Sequence, residues 1–258
     1  MNKVRFAWVF AFFSVLFPSC GQQQSPSVLT KRDQIVSYML RMAELRWSPS
    51  EDIPYYEDTD GTKVFHAGEN YVGLPYTMAG GRTLALGDPL NKFCLLLDEQ
   101  GIYHGPATKD SYYGSDCSSS VEGAWRVNGL ETNATYTGAM IPGENLKIAP
   151  VGGYDVSDKS NMTRSICDKN GIETMRDAYS LLQPGDALVR RIQYEGAYVG
   201  HVRLVESIDK KQQTVTVIEQ CGYGIDSQTK TTWRVHRAYT FDRLFETAYI
   251  PICPVDLA

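Results

Sequence analysis

The sequence predicts an α+β domain, with helices ahead of an antiparallel β-sheet, and three stretches carry that prediction. Near the N-terminus, apolar residues recur at spacings of three and four, the mark of an amphipathic helix. A second helical pattern opens at Ser115. From about residue 184 onward, β-branched runs alternate with short polar turns, as in a meander. At 258 residues, 43% hydrophobic and 21% charged, the chain is long enough to bury a substantial core.

The first twenty residues stand apart. Lys3 and Arg5 precede an apolar run from Phe6 to Phe17, too short to span a bilayer as a helix but suited to the h-region of a secretory signal. Residues 1–20 are therefore expected to be a signal peptide, 21–29 a flexible polar tether, and 30–258 one domain. Export places the mature protein in the cell envelope or outside the cell. Leu16, Ser19 and Cys20-Gly21 resemble the processing site of bacterial lipoproteins, which implies membrane attachment through a lipidated Cys20. Phe17 and Pro18 depart from that pattern, so cleavage by an ordinary signal peptidase is the alternative. The net charge of −5 becomes −7 once Lys3 and Arg5 are removed. So acidic a chain lacks the positive field that phosphate backbones require, and nucleic acid is not an expected partner.

The elements follow in order. From Lys31 to Trp47, Ile35, Met39 and Met42 share a helix face with Val36, Leu40, Ala43 and Trp47. Thr30 with Asp33 forms a capping-box variant at its start, and Ser48-Pro49 ends it. Residues 50–110, rich in Gly, Pro, Asp and Tyr, read as loops with short helices. Ser115 or Asp116 caps the next helix, Val121, Ala124 and Trp125 give its buried face, and Asn128-Gly129 closes it. Ala187–Val189, Tyr198–Ile208 and Thr214–Ile218 are the expected strands, with a polar turn around Lys210-Lys211.

Within this frame Cys117 falls at the start of a helix, where free N–H groups and the helix dipole favour a thiolate. Its own amide or the next one is placed to donate to an oxyanion. A base must come from elsewhere. His201 lies 84 residues on, in a strand, with the bare Gly200 beside it. The following strand brings back Glu219 and Gln220, which point to opposite faces, so one of them holds the imidazole. A turn of three or five residues puts Glu219 on the His201 side, and one of two or four puts Gln220 there. Asp209 to Gln213 lacks the Asn-Gly type of tight turn, which favours Glu219, with Gln220 as the alternate.

Six cysteines are present. With Cys20 and Cys117 assigned, Cys94, Cys167, Cys221 and Cys253 either pair in the oxidising exterior or stay as buried thiols. No CxxC occurs, and His66, His104, His201 and His236 lack the spacing of a zinc motif. Neither a metal nor another cofactor is expected.

The run Asp116-Cys117-Ser118, then Pro184-Gly185-Asp186, Gly200-His201-Val202 and Glu219-Gln220 resembles the NlpC-type and CHAP cell-wall peptidases and amidases. The likeness covers roughly residues 70–225. It implies a papain-like core with the catalytic helix packed on an antiparallel sheet, the Lys31–Trp47 helix being extra. It also implies Cys117 as nucleophile, His201 as general base and Glu219 as the acidic third residue. Gly73-Leu74-Pro75-Tyr76 looks like the Gly-x-x-Tyr stretch ahead of the catalytic helix, so Tyr76, Asp116 and Ser118 are the expected substrate contacts. The implied substrates are peptidoglycan peptides. Departures are Ser119 and Ser120 where Gly and an aromatic are usual, Cys221 where CHAP members often have Asn, and 41 residues between Tyr76 and Cys117. A thiol acyltransferase on the same core and an inactive envelope-binding module are the alternatives.

Overall fold

The computed structural model describes residues 29–56, 63–78, 87–157, 162–222, 225 and 228–258. The expected signal segment, Cys20 and nearly all of the tether lie outside the described residues. No helix among the described residues is long and apolar enough to cross a membrane.

Helix α1 spans Lys31–Glu44. Thr30 Oγ1 accepts from the Asp33 amide, and the Asp33 carboxylate accepts from the Thr30 amide at 3.0 Å, which completes the capping box. The helix ends three residues before the periodicity does. Leu45 turns extended, and Arg46–Pro49 become strand β1. Trp47 is then wedged among Phe65, Tyr71, Phe93 and Tyr103, with ring centroids 5.3 to 5.8 Å apart. Aromatic packing of this kind overrides local helical preference.

Residues 50–110, expected as loops with short helices, also supply small strands. Strands β2 (Ile53–Pro54) and β3 (Val64–Phe65) pair with each other. Strands β4 (Tyr71–Val72) and β5 (Ile102–Tyr103) flank β1 in a three-stranded sheet. Between them lies α2, Pro89–Cys94. Helix α3, Cys117–Val127, begins at its cap Asp116 and ends at Asn128, with Gly129 at φ +79°. A 3-10 turn at Thr137–Met140 and strand β6, Ile148–Pro150, follow. Helix α4, Thr163–Ser180, is interrupted at Gly171, whose φ of 75° breaks the helix and its periodicity.

The second half is the main sheet. Strands β7 (Ala187–Tyr194), β8 (Ala197–Asp209), β9 (Thr214–Gln220) and β10 (Trp233–Thr240) form the expected meander. Helix α5 (Phe241–Glu246) then returns the chain to β11 (Ile250–Pro254), which pairs with β7 and β6. The order is β10-β9-β8-β7-β11-β6, antiparallel at every pairing. Helices α1 and α3 pack on each other and on β8 and β9, while α4 packs on β7 and β11. The architecture is thus α+β, with the Cys117 helix on an antiparallel sheet and an additional N-terminal helix.

Pro184-Gly185-Asp186 ties α1 to this sheet. Arg32 donates to Asp186 at 2.7 Å, to the Pro184 carbonyl and to the Leu257 carbonyl. Trp125 of α3 donates to the Gly185 carbonyl at 2.9 Å. The turn therefore works as a structural junction.

Candidate active site

The site begins with the register of two strands. The hairpin between β8 and β9 has a four-residue turn, because Asp209 pairs with Thr214. By parity alone that turn places Gln220 beside His201, against the expectation of a three- or five-residue turn. A β-bulge reverses the outcome. Val205 pairs with Val217 and Ser207 with Thr216, leaving Glu206 as the extra residue. Above the bulge every side chain changes face, and Glu219 arrives under the imidazole. His201 Nε2 lies 2.6 Å from Glu219 Oε2. The choice of Glu219 thus fits the geometry, and the turn length that favoured it does not.

The Glu219 carboxylate has two further partners. Arg203 Nε donates to Oε2 at 2.8 Å, and Tyr239 Oη donates to Oε1 at 2.7 Å. The Arg203 guanidinium is stacked between the rings of Tyr239 and Tyr249, 3.8 and 4.0 Å from their centroids. Burial by itself pushes the Glu219 carboxyl up. The His201 hydrogen bond, then the Arg203 charge, outweigh it and hold the pKa at about 2. Glu219 is therefore an anion, fixed on both oxygens, against a ring that keeps Nδ1 for other work.

Cys117 sits at the tip of α3, as expected, with 8% of its surface exposed. Asp116 Oδ1 accepts from the Ser119 amide at 2.6 Å and from Ser118 Oγ at 2.8 Å. The Ser120 amide bonds the Asp116 carbonyl. A cavity of about 240 Å³ opens at the sulfur, lined among others by Tyr76, Met78, Thr137, Arg191 and Tyr198. Asp116, Cys117 and Ser118 all contribute to its wall. The expected substrate contacts Tyr76, Asp116 and Ser118 therefore meet around the candidate nucleophile.

Two expectations about these residues are corrected. The helix tip does not by itself favour the thiolate here: burial, then the Asp116 charge, push the Cys117 thiol well up, and the amides of Val202 and Ser118 only partly offset this. Gly200 does not make room for the imidazole. It points to the opposite face from His201, and a Cβ there would overlap Thr137 Oγ1. Among the described residues no hydrogen bond joins Cys117 Sγ to the His201 ring. The sulfur rests instead against the amide of Val202, the next residue, beyond the last β8–β9 pair at Leu204–Ile218.

Gln220, the alternate third residue, is turned away from His201. Its Oε1 accepts from Ser115 Oγ at 2.6 Å and its Nε2 donates to the Leu74 carbonyl at 2.9 Å. It braces the approach to α3 against the Gly73–Tyr76 segment. Cys94, Cys167, Cys221 and Cys253 are all free thiols. Cys221 joins the site: His201, Glu219 and Cys221 each bring a potential ligand atom within 4.8 Å of the other two. The signal for it was parity, since Cys221 is two residues from Glu219 and shares its face. A cation there would have to break the His201–Glu219 and Arg203–Glu219 bonds and face a guanidinium, so the donor set fits a hydrogen-bonded network better than a metal.

The chain matches no protein-family model, no curated protein and no solved structure.

Proposed function

We propose that this protein is an exported thiol hydrolase with a papain-like core that cleaves peptide or amide bonds of peptidoglycan peptides. The observation that carries this reading is the cavity reaching Cys117 at a helix tip, with the His201–Glu219 pair on the strand beside it. In the reaction, the Cys117 thiol proton passes to His201 Nδ1 as the sulfur attacks the substrate carbonyl carbon. The carbonyl oxygen takes the negative charge, with backbone amides at the start of α3 as donors. Collapse of this intermediate breaks the C–N bond, and the imidazolium returns its proton to the departing amine. Water then hydrolyses the thioester, delivering its own proton through the same ring. Glu219 is a positioning residue: it orients the imidazole and stabilises its charged form. No hydrogen bond joins the thiol to the ring among the described residues, so the transfer requires substrate binding to bring the two together. The wall substrate rests on the export signal and the likeness of the Cys, His and acid order to cell-wall peptidases. The same signal supports anchoring through Cys20.

A second reading gives the nucleophile's role to Cys221, whose sulfur is near both the ring and the carboxylate. Its burial, the nearby Glu219 charge and its absence from the cavity wall weigh against it; the first two push its thiol up to about 12. Two variants decide. Cys117→Ala should lower release of peptide fragments from muropeptides by at least about a thousandfold, while Cys221→Ser keeps most of the activity. Full turnover in Cys117→Ala would sink the proposal, and loss confined to Cys221→Ser would transfer the role.

A further inference from the structure

The cavity at Cys117 is also lined by a cation that, among the described residues, has no carboxylate partner. Arg191, on β7, pairs in register with Gly200 of β8, so its side chain emerges on the cavity face. Its guanidinium carbon lies 4.4 Å from the Tyr198 ring centroid and 6.0 Å from that of Tyr136, so two aromatic rings hold it. Its Nε is buried without a hydrogen-bond partner, and no carboxylate pairs with the group among the described residues. Arg203, twelve residues further on, makes a useful contrast, because its charge is answered by Glu219.

The chain is also shaped to admit Arg191. A Cβ on Gly138, in the 3-10 turn, would overlap Arg191 Nη1. The strand beneath is fixed too: Thr163 Oγ1 accepts from the Arg191 amide at 2.9 Å and donates to its carbonyl at 3.0 Å. Among the described residues the one carboxylate on the cavity wall, Asp116, is engaged with the Ser119 amide and the Ser118 hydroxyl. A planar, aromatic-held fork in the cavity that Cys117 also lines is suited to bind a carboxylate by two parallel hydrogen bonds.

We infer that Arg191 is the specificity residue of this cleft and receives a carboxylate of the substrate peptide next to the bond that is cut. This rests on the thiol-hydrolase reading for its location, but its test does not require turnover. The Cys117→Ala protein is titrated calorimetrically with L-alanyl-γ-D-glutamyl-L-lysine. Two counterparts carry a carboxamide in place of either the glutamyl α-carboxylate or the C-terminal carboxylate. One of the two neutralisations should weaken binding by roughly ten- to a hundredfold. That preference should vanish in Cys117→Ala/Arg191→Gln. In Cys117→Ala/Gly138→Ala the arginine is kept but its flexible end is pushed aside, so the preference should fall without loss of the fold. Equal affinity for all three peptides in the Cys117→Ala protein, or an unchanged preference in both double variants, would overturn the inference. Neither result touches the separate question of whether Cys117 turns substrate over.

Discussion

The two faces of β8 around residues 200–203 answer charge in opposite ways. On one face His201 and Arg203 share the Glu219 carboxylate, Tyr239 takes its other oxygen, and two tyrosine rings enclose the guanidinium. On the other, Gly200 opens onto a cavity where Arg191 meets no carboxylate among the described residues and burial pushes the Cys117 thiol up. The first face answers its cations with a carboxylate, and the second, among the described residues, does not. A strand only one backbone thick separates a finished network from an unfinished one.

Substitutions on the two faces should therefore differ in kind. Arg203→Met keeps the stem between the tyrosines but leaves Glu219 buried with one cation fewer, and should cost about 3 to 5 kcal/mol in denaturant unfolding. A cost below about 1 kcal/mol would show that the closed face is less dependent on charge than its geometry implies. Glu219→Gln should alter the acid limb of stability. The native carboxyl titrates at about 2 against an ordinary 4.5, so its contribution is complete above 4.5 and is lost as pH falls towards 2. The wild type should lose about 3 kcal/mol more than the variant across that window, measured by urea melts at stepped pH. Parallel curves would remove Glu219 from the account.

Gln220→Ala tests the neighbouring position on the other face. It strips partners from Ser115 Oγ and the Leu74 carbonyl and should cost roughly 1 to 3 kcal/mol. The imidazole environment, followed by the NMR titration of His201, should not move; a shift would mean that Gln220 also touches the ring. Tyr198→Ala should have the smallest effect on stability, under about 1 kcal/mol, because its ring is 62% exposed. A larger loss of melting temperature would make the open face part of the core.

Much of the frame was legible because it rests on local signals. Thr30 and Asp33 announce α1, Asp116 announces α3, and β-branched runs announce β7 to β9. Helix α4 escaped notice because Gly171 divides it into two short periods. Trp47 reads as helical in the sequence because its strand depends on Phe93 and Tyr103, dozens of residues away. At the site, the residue types were readable and the registers were not. Residue types do not say whether an offset comes from a bulge or from the turn, so the turn length that favours Glu219 in the sequence is not the one the chain has. Arg191 was invisible for a similar reason: its lack of a partner is a property of the surroundings that three separate segments create.

The extra residue at Glu206 has a consequence for tolerance to length change. Its carboxylate meets His236, which sits in a matching irregularity of β10 at φ +55°, so the offset is pinned across β9 from the edge of the sheet. The hairpin tip at 210–213 can then shed or gain a residue as a local repair, while facing is decided upstream. Removing one residue at the bulge instead would set an amide where the imidazole now meets an acid.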